Sequence, residues 1–318
     1  MSMLKKILKR AEERELGLGS AVGTGRGERM MLPDGSMNVV RESTGLWDNI
    51  YYNLMTDSWP RFFALVFTVF GLLNIMFASL YCLIGIEHLA GIEVGGFWHN
   101  FREALFFSTQ TLTTVGYGRV APVGILTNVL SSTESLIGLL SFAIISGLVY
   151  GRFSRSQAHI VFSENMLVAP YKDGMAFMLR MVNASRSELL ETEAQAILAL
   201  NQQDAAGKIS RRYFQLELEV GKISFFSLSW TLVHALTEKS PLFNFSQTDL
   251  LEANAEIMVL VKGVEEANEQ TVHARRSYAA EEVVWNAKFT PIIGKNKRGV
   301  PKVFTSKVSE YERVTSDD

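Results

Sequence analysis

TVGYG, at Thr114–Gly118, lies between two long apolar runs and directly after a short aromatic stretch. Gly116 and Gly118 can take positive φ angles closed to most residues, so successive carbonyls can turn the same way instead of alternating as in a strand. Four copies of such a loop around one axis would offer a bare K⁺ ion main-chain oxygens in place of its water shell. Thr114 would add a hydroxyl at the inner end. Five residues taken alone read equally well as a glycine-bearing turn. Their context decides, because a motif is confirmed by the structure around it.

From Phe62 to Ile86 there are 25 residues without a charged side chain. A helix of that length crosses an apolar layer of about 30 Å. A second run, Val120–Val149, carries Glu134 as its single ionisable residue, and Pro122 is expected in its first helical turn. The stretch between them is too short for a third crossing. Within it, Phe97–Leu112 places Phe101, Leu105 and Phe106 at helical spacing, which predicts a re-entrant pore helix, since irregular backbone at membrane depth survives only where protein or a water-filled cavity satisfies it. Arg61 precedes the first span and Arg152 and Arg155 follow the second, against Arg102 and Arg119 between them. The positive-inside rule therefore predicts a multi-pass membrane protein with both termini cytoplasmic. Met1–Leu16 interleaves basic residues with Leu4, Ile7, Leu8 and Ala11, unlike a cleavable signal peptide. It reads either as an amphipathic surface helix or as a frayed tail running into Gly17–Gly27.

The chain has 318 residues, a net charge of −2 and 47% hydrophobic residues. The charge argues against general nucleic-acid binding, and the length leaves room for a small membrane module plus one globular domain. Cys82, the single cysteine, lies in the first span. A disulfide framework is excluded and a packed apolar thiol is expected.

Beyond Arg155 the pattern changes to short β-rich runs: 159–162, 166–170, 176–182, 191–200, 213–220, 231–234, 257–261 and 283–292. Asp173-Gly174 is expected to turn a tight hairpin, and further turns are expected at Asp204–Lys208 and Pro241. Many short strands at this spacing predict an all-β sandwich. No G-x-G-x-x-G opens a helix, which disfavours a doubly wound nucleotide-binding domain. His88 and His99 fall in the external loop, and His159, His234 and His273 are scattered without partners at metal-ligand spacing. Each reads as a surface or hydrogen-bonded core histidine, and Glu265, Glu266 and Glu269 read as a solvated face. Nothing suggests an enzyme or a cofactor.

Between Trp47 and Ile292 the chain resembles the bacterial inward-rectifier (Kir-type) potassium channels. The resemblance is carried by WDNIYYNLMTDSWP before the first span, FMLRMVNA at Phe177–Ala184, SPLF at Ser240–Phe243, and EIMVLVKG followed by ARRSY and VVWNAKF. It implies a homotetramer: a two-transmembrane-helix potassium pore module with a re-entrant pore helix, followed by a cytoplasmic immunoglobulin-like β-sandwich that extends the pore. The expected boundaries are an N-terminal tail at 1–45, an interfacial slide helix at 46–57 and a pore domain at 58–152. That domain divides into an outer helix at about 60–86, pore helix and filter at 97–118 and an inner helix at 122–152. The sandwich then occupies 153–295 and a C-terminal tail 296–318. Trp47, Tyr51 and Trp59 favour the headgroup boundary, which suits a slide helix.

The resemblance also implies roles for single residues. Carbonyls of Thr114, Val115, Gly116 and Tyr117, ahead of Gly118, would hold K⁺, the permeant ion. Gly138 matches the inner-helix hinge and Gly147 is a second flexible point, although glycine in a membrane helix also serves close packing. Tyr150 matches the bundle-crossing gate, where rings meeting on an axis exclude water; composition alone reads it as an interfacial anchor. Phe142 and Ser146 would face the cavity, and Glu191 and Lys262 the cytoplasmic pore. Strong rectifiers carry an acidic or amide residue where this chain has Phe142, and an acidic residue where it has Lys262. Block by Mg²⁺ or polyamines is therefore expected to be weak, while Ba²⁺ remains an expected pore blocker. Gln110 stands where eukaryotic relatives place a glutamate that pairs with an arginine behind the filter. Arg119 is accordingly expected at the outer mouth. Arg61, Arg152 and Arg155, with Arg41 nearby, would attract anionic lipid headgroups at about 1 kcal/mol each, and in bacterial relatives phosphoinositide inhibits. The expected site is the bacterial inner membrane. Two alternatives stay open: a membrane-anchored ligand or partner sensor with a silent pore, and a transporter subunit, which would need repeated pore units.

Overall fold

Pro60 sits in the first turn of a 26-residue helix, α2 (Trp59–Ile84), where its missing amide costs nothing. In the computed structural model, residues 29–40, 50–155, 158–203, 207–295 and 298–314 are described. They fall into two compact units, a helical one spanning 42–155 and a β unit formed by 1–41 with 156–318. Met1–Leu16, Arg41 and Trp47 lie outside the described residues.

The helical unit starts with α1 (Ile50–Thr56), followed by α2, which ends where Gly85 takes φ +117° and its amide bonds Tyr81 O at 3.1 Å. A 3₁₀ turn at Ile86–His88 leads to β1 (Leu89–Ala90), then α3 (Phe97–Leu112), β2 (Ala121–Pro122) and α4 (Ile125–Phe153). α2 and α4 are both long and apolar enough to cross a membrane. Pro122 is not in a helical turn as expected. It pairs with Leu89 across β1 and β2, and Gly124 at φ +84° reverses the chain before α4 begins. Phe77, Ala78, Tyr81, Ile86, Leu89, Ala104, Phe107 and Val120 close the core around α3.

The β unit is a sandwich of two five-stranded sheets. One contains β6 (Leu189–Gln203), β7 (Ile209–Leu216), β8 (Lys222–Phe226), β10 (Glu256–Glu265) and β11 (Gln270–Ala279). β6 lies between β10 on one edge and β7 and β8 in succession on the other. The second contains β3 (Ile160–Phe162), β4 (Met166–Tyr171), β5 (Gly174–Asn183), β9 (Ser229–Ala235) and β12 (Val283–Trp285). β5 takes β3 and β4 on one edge and β9 on the other, and β12 runs parallel to β4. Leu179, Met181, Leu198, Leu200, Phe214, Leu232, Ile257 and Val259 meet between the sheets. The β4–β5 hairpin turns on Lys172-Asp173, one residue before the expected pair, with Lys172 at φ +51° and Gly174 already opening β5. The run expected as one strand over 283–292 breaks at Asn286, φ +51°, into β12 and β13 (Ala287–Phe289).

Both presumed tails contribute to the β unit. Met30 and Met31 are buried beside Ala199, Tyr213 and Met258 on the outer face of the first sheet. Their amides donate to the buried Glu256 carboxylate at 2.9 and 3.0 Å, and the Arg211 guanidinium reaches the same carboxylate at 3.0 Å. Gly35, φ +82°, turns this segment so close to β11 that a Cβ would lie 2.4 Å from Arg275 O. After residue 295, the end of β14 (Ile293–Lys295), come β15 (Pro301–Val303) and β16 (Tyr311–Arg313), which pair with β14 and β13. Arg180, 4% exposed, binds them by its guanidinium to the carbonyls of Thr290, Lys307, Val308 and Glu310.

His234 is a core histidine. Its Nδ1 lies 2.7 Å from Glu217 O, which can only accept, so Nδ1 carries the proton and Nε2 accepts from Ser240 Oγ at 2.8 Å. Burial lowers its pKa, opposed by the Glu217 carbonyl. The unfolded chain takes up a proton here near its ordinary value of 6.5 while the folded chain does not, so the unfolded state binds more protons and stability falls as pH drops through that value. The melting temperature of the β unit is expected to fall between about pH 7.5 and 5.5. His234→Gln should flatten that slope; an unchanged slope in differential scanning calorimetry would assign it to other groups.

Candidate functional site

α3 ends at Leu112, two residues before Thr114 leaves the helical region at φ +60°. Thr109, Thr111 and Thr113 hydroxyls donate to carbonyls four residues earlier at 2.7–2.9 Å. The chain then alternates: Thr114 at φ +60°, Gly116 at +54° and Gly118 at +79°, with Val115 and Tyr117 between them at negative φ. A β-branched residue in the left-handed region costs on the order of 1–3 kcal/mol, so Thr114 must be held there. Its amide bonds Thr111 O at 3.1 Å, and the amides of Val115 and Gly116 converge on Gln110 O at 2.9 and 3.4 Å. Three amides are thus turned toward the end of α3. The carbonyls of Thr114, Val115, Gly116 and Tyr117 accept no hydrogen bond among the described residues. A row of unsatisfied oxygens on one loop is unstable in an apolar layer unless a cation or water meets it.

Two contacts with α4 fix the end of α3. Gly138 is buried against Leu112, and a Cβ there would lie 2.0 Å from the Leu112 carbonyl oxygen. One turn earlier on both helices, Ser108 Oγ lies 2.5 Å from Glu134 Oε1, and Tyr81 Oη donates to Glu134 Oε2 at 2.7 Å. Gly147 has open space around its Cα. Phe142, Ser146 and Tyr150 follow Gly138 at four-residue steps on one slowly winding stripe, all exposed in the single chain, Tyr150 at 74%.

Arg119 forms an ion pair with Glu103, in the first half of α3 and seven residues before Gln110. Gln110 serves through its backbone carbonyl instead. Among the basic residues near the inner ends of the spans, Arg152 is already occupied. Its guanidinium bonds the carbonyls of Leu54 and Asp57 and stacks 4.6 and 4.7 Å from the Trp59 and Phe62 rings. Arg155 donates to Met55 O at 3.2 Å, so both satisfy carbonyls at or just beyond the end of α1. Arg61 has a 78% exposed side chain and a loose ion pair with Asp57 at 3.9 Å.

In the β unit, Glu191 stands at a bulge of β6 with φ +47°, where the β10 register shifts between Lys262 and Val264. It forms an ion pair with Lys222 of β8, and Lys262 lies directly across from Glu193. The acidic side chains on this stretch are therefore each faced by a lysine.

Residues 160–318 match the profile of the inward rectifier potassium channel C-terminal domain, and residues 75–154 match that of an ion channel. The chain is 33% identical over 270 residues to the inward rectifier potassium channel Kirbac3.1 of Paramagnetospirillum magnetotacticum, covering 84% of this chain and 90% of that one. It is 28% identical over 259 residues to the ATP-sensitive inward rectifier potassium channel 12 of Bos taurus, covering 74% and 60%. It is 27% identical over 291 residues to the G protein-activated inward rectifier potassium channel 4 of Homo sapiens, covering 84% and 68%.

Proposed function

The chain belongs to the inward rectifier potassium channel family, and from that premise we propose that it conducts K⁺ passively as a homotetramer, with Thr114–Tyr117 as ion ligands and Tyr150 as the gate. It is a membrane potassium channel and not an enzyme, with K⁺ as permeant ion and no cofactor. The observation that carries the reading is the loop of alternating handedness, whose first three amides are taken up by α3 while the carbonyls of Thr114–Tyr117 are left over. Four such loops supply the oxygens that a dehydrated K⁺ requires.

The gate reading is supported by the stripe from Gly138 through Phe142 and Ser146 to Tyr150. Weak rectification is supported by the ion pair of Glu191 with Lys222 and by Lys262 standing across from Glu193 in the strand register, which offset the negative charge that would hold Mg²⁺ or a polyamine. Anionic lipid would meet Arg61 first, since its side chain is exposed and its ion pair with Asp57 is loose, whereas Arg152 is held by the carbonyls of Leu54 and Asp57. Phosphoinositide is proposed to inhibit, in the inner membrane of a bacterium with both termini inside; activation of flux by this lipid would reverse that sign.

Liposome flux tests the reading. Uptake of ⁸⁶Rb⁺ that Ba²⁺ blocks and Gly116→Asp abolishes is expected, with Tyr150→Ala raising the resting leak at least about tenfold if closure is worth more than 1.4 kcal/mol. Folded tetramers without uptake in any lipid would favour a silent-pore sensor. An unchanged leak in Tyr150→Ala would remove the tyrosine from the gate.

A further inference from the structure

Glu134 is the one carboxyl in the apolar part of α4, and it is fully buried, as are Tyr81, Ser108 and Asn74 around it. An ionised side chain at this depth is costly unless paired, yet among the described residues no cation forms an ion pair with it; Arg119 is taken by Glu103. Its partners are hydroxyls on two other helices. Tyr81 of α2 donates to Oε2, and Ser108 of α3 meets Oε1 at 2.5 Å. Ser108 has a single proton but faces a second acceptor, Asn74 Oδ1 at 3.2 Å, while Asn74 Nδ2 is committed to Phe70 O at 2.8 Å. The count closes only if position 134 gives one hydrogen bond to Ser108 and takes one from Tyr81. Then Ser108 donates to Asn74 and every group is satisfied. An amide meets that demand as well as a carboxylic acid does.

Ser108 and Leu112 are one turn apart on α3, and Glu134 and Gly138 are one turn apart on α4. The two contacts, 134 with 108 and 138 with 112, therefore run in step along the last turn before Thr114. Because Tyr81 anchors the same carboxyl to α2, three helices meet at one side chain directly behind the loop. We infer that Glu134 is a positioning residue for K⁺ selectivity: by hydrogen bonding, not by charge, it holds the end of α3 and so the loop carbonyls in place.

This inference rests on the conduction reading above. It is tested in K⁺-loaded liposomes by ⁸⁶Rb⁺ uptake in competition with external Na⁺ or K⁺, on purified full-length channel with its oligomeric state measured alongside. Glu134→Gln is expected to retain uptake and K⁺-over-Na⁺ discrimination within about twofold. Glu134→Leu and Ser108→Ala are expected to lose discrimination by about tenfold or more, because each strands a buried polar partner. If Glu134→Leu does not assemble, Ser108→Ala, a smaller change, decides alone. Loss of discrimination in Glu134→Gln would show that charge is required, and retained discrimination in Ser108→Ala would show that the cluster does not position the loop; either overturns the inference. Absence of uptake in the unaltered protein would instead reject conduction itself.

Discussion

Gly138→Ala is expected to reduce ⁸⁶Rb⁺ uptake by tenfold or more, while Gly147→Ala retains it within about twofold. The asymmetry follows from what surrounds each Cα. At Gly138 an added Cβ would lie 2.0 Å from the Leu112 carbonyl oxygen, with further backbone atoms of the same residue at 2.8 and 3.1 Å. Backbone cannot rotate aside as a side-chain tip can, so α4 must move away from α3 or α3 must shift. Either displaces the residue two positions before Thr114. Overpacking of this kind costs about 1–3 kcal/mol in well-packed interiors. At Gly147 an added Cβ would meet no other element within 4 Å in the single chain, and alanine is a better helix former than glycine. The same pair of variants separates packing from hinging: were Gly138 chiefly a flexible point, Gly138→Ala would leave the folded tetramer intact and alter only the open fraction. Unimpaired uptake in Gly138→Ala would contradict the close contact.

The β unit should lose roughly 3–5 kcal/mol in Glu256→Ala, lowering its melting temperature by about 10 °C. Glu256 is 2% exposed, the Arg211 side chain is fully buried, and they meet at 3.0 Å. Removing the carboxylate leaves a buried guanidinium without its counter-charge, although Asn201 Oδ1 and Asn254 O still accept from it. It also leaves the Met30 and Met31 amides without an acceptor. Glu256→Gln keeps an acceptor oxygen and should cost distinctly less. Thermal unfolding of the detergent-solubilised channel, followed by circular dichroism, checks both; equal stability in all three proteins would mean that the N-terminal segment is not anchored there.

What the amino-acid sequence discloses is what rests on composition and short-range pattern. Two uncharged runs with aromatic residues and TVGYG between them identify the helices and the loop, and short apolar, β-rich runs over 176–182 and 257–261 identify central strands. What it hides depends on long-range partners. β11 reads as polar because Arg275 and Arg276 interrupt it, yet it pairs with β10 over ten residues. Ser246 and Asp249 form a capping box at the start of the short helix α5 (Gln247–Glu252), a local signal that the sequence does carry. At the site, Thr114 was valued for its hydroxyl, whereas its backbone at φ +60° matters as much as the two glycines. The link from Glu134 to Tyr81 and Ser108 spans 53 and 26 residues and leaves no local trace.

Arg180 lies in the middle of the second sheet, but the carbonyls that receive its guanidinium belong to residues 290 and 307–310. A ribosome releases residue 180 long before it releases those. During that interval the guanidinium stands in water, because Arg180 lies on the outer face of the sheet while its neighbours Leu179 and Met181 face the sandwich core. Residues 290 and 307–310 therefore act as a cover laid over a finished sheet, taking Arg180 out of water against Thr290, Lys307, Val308 and Glu310.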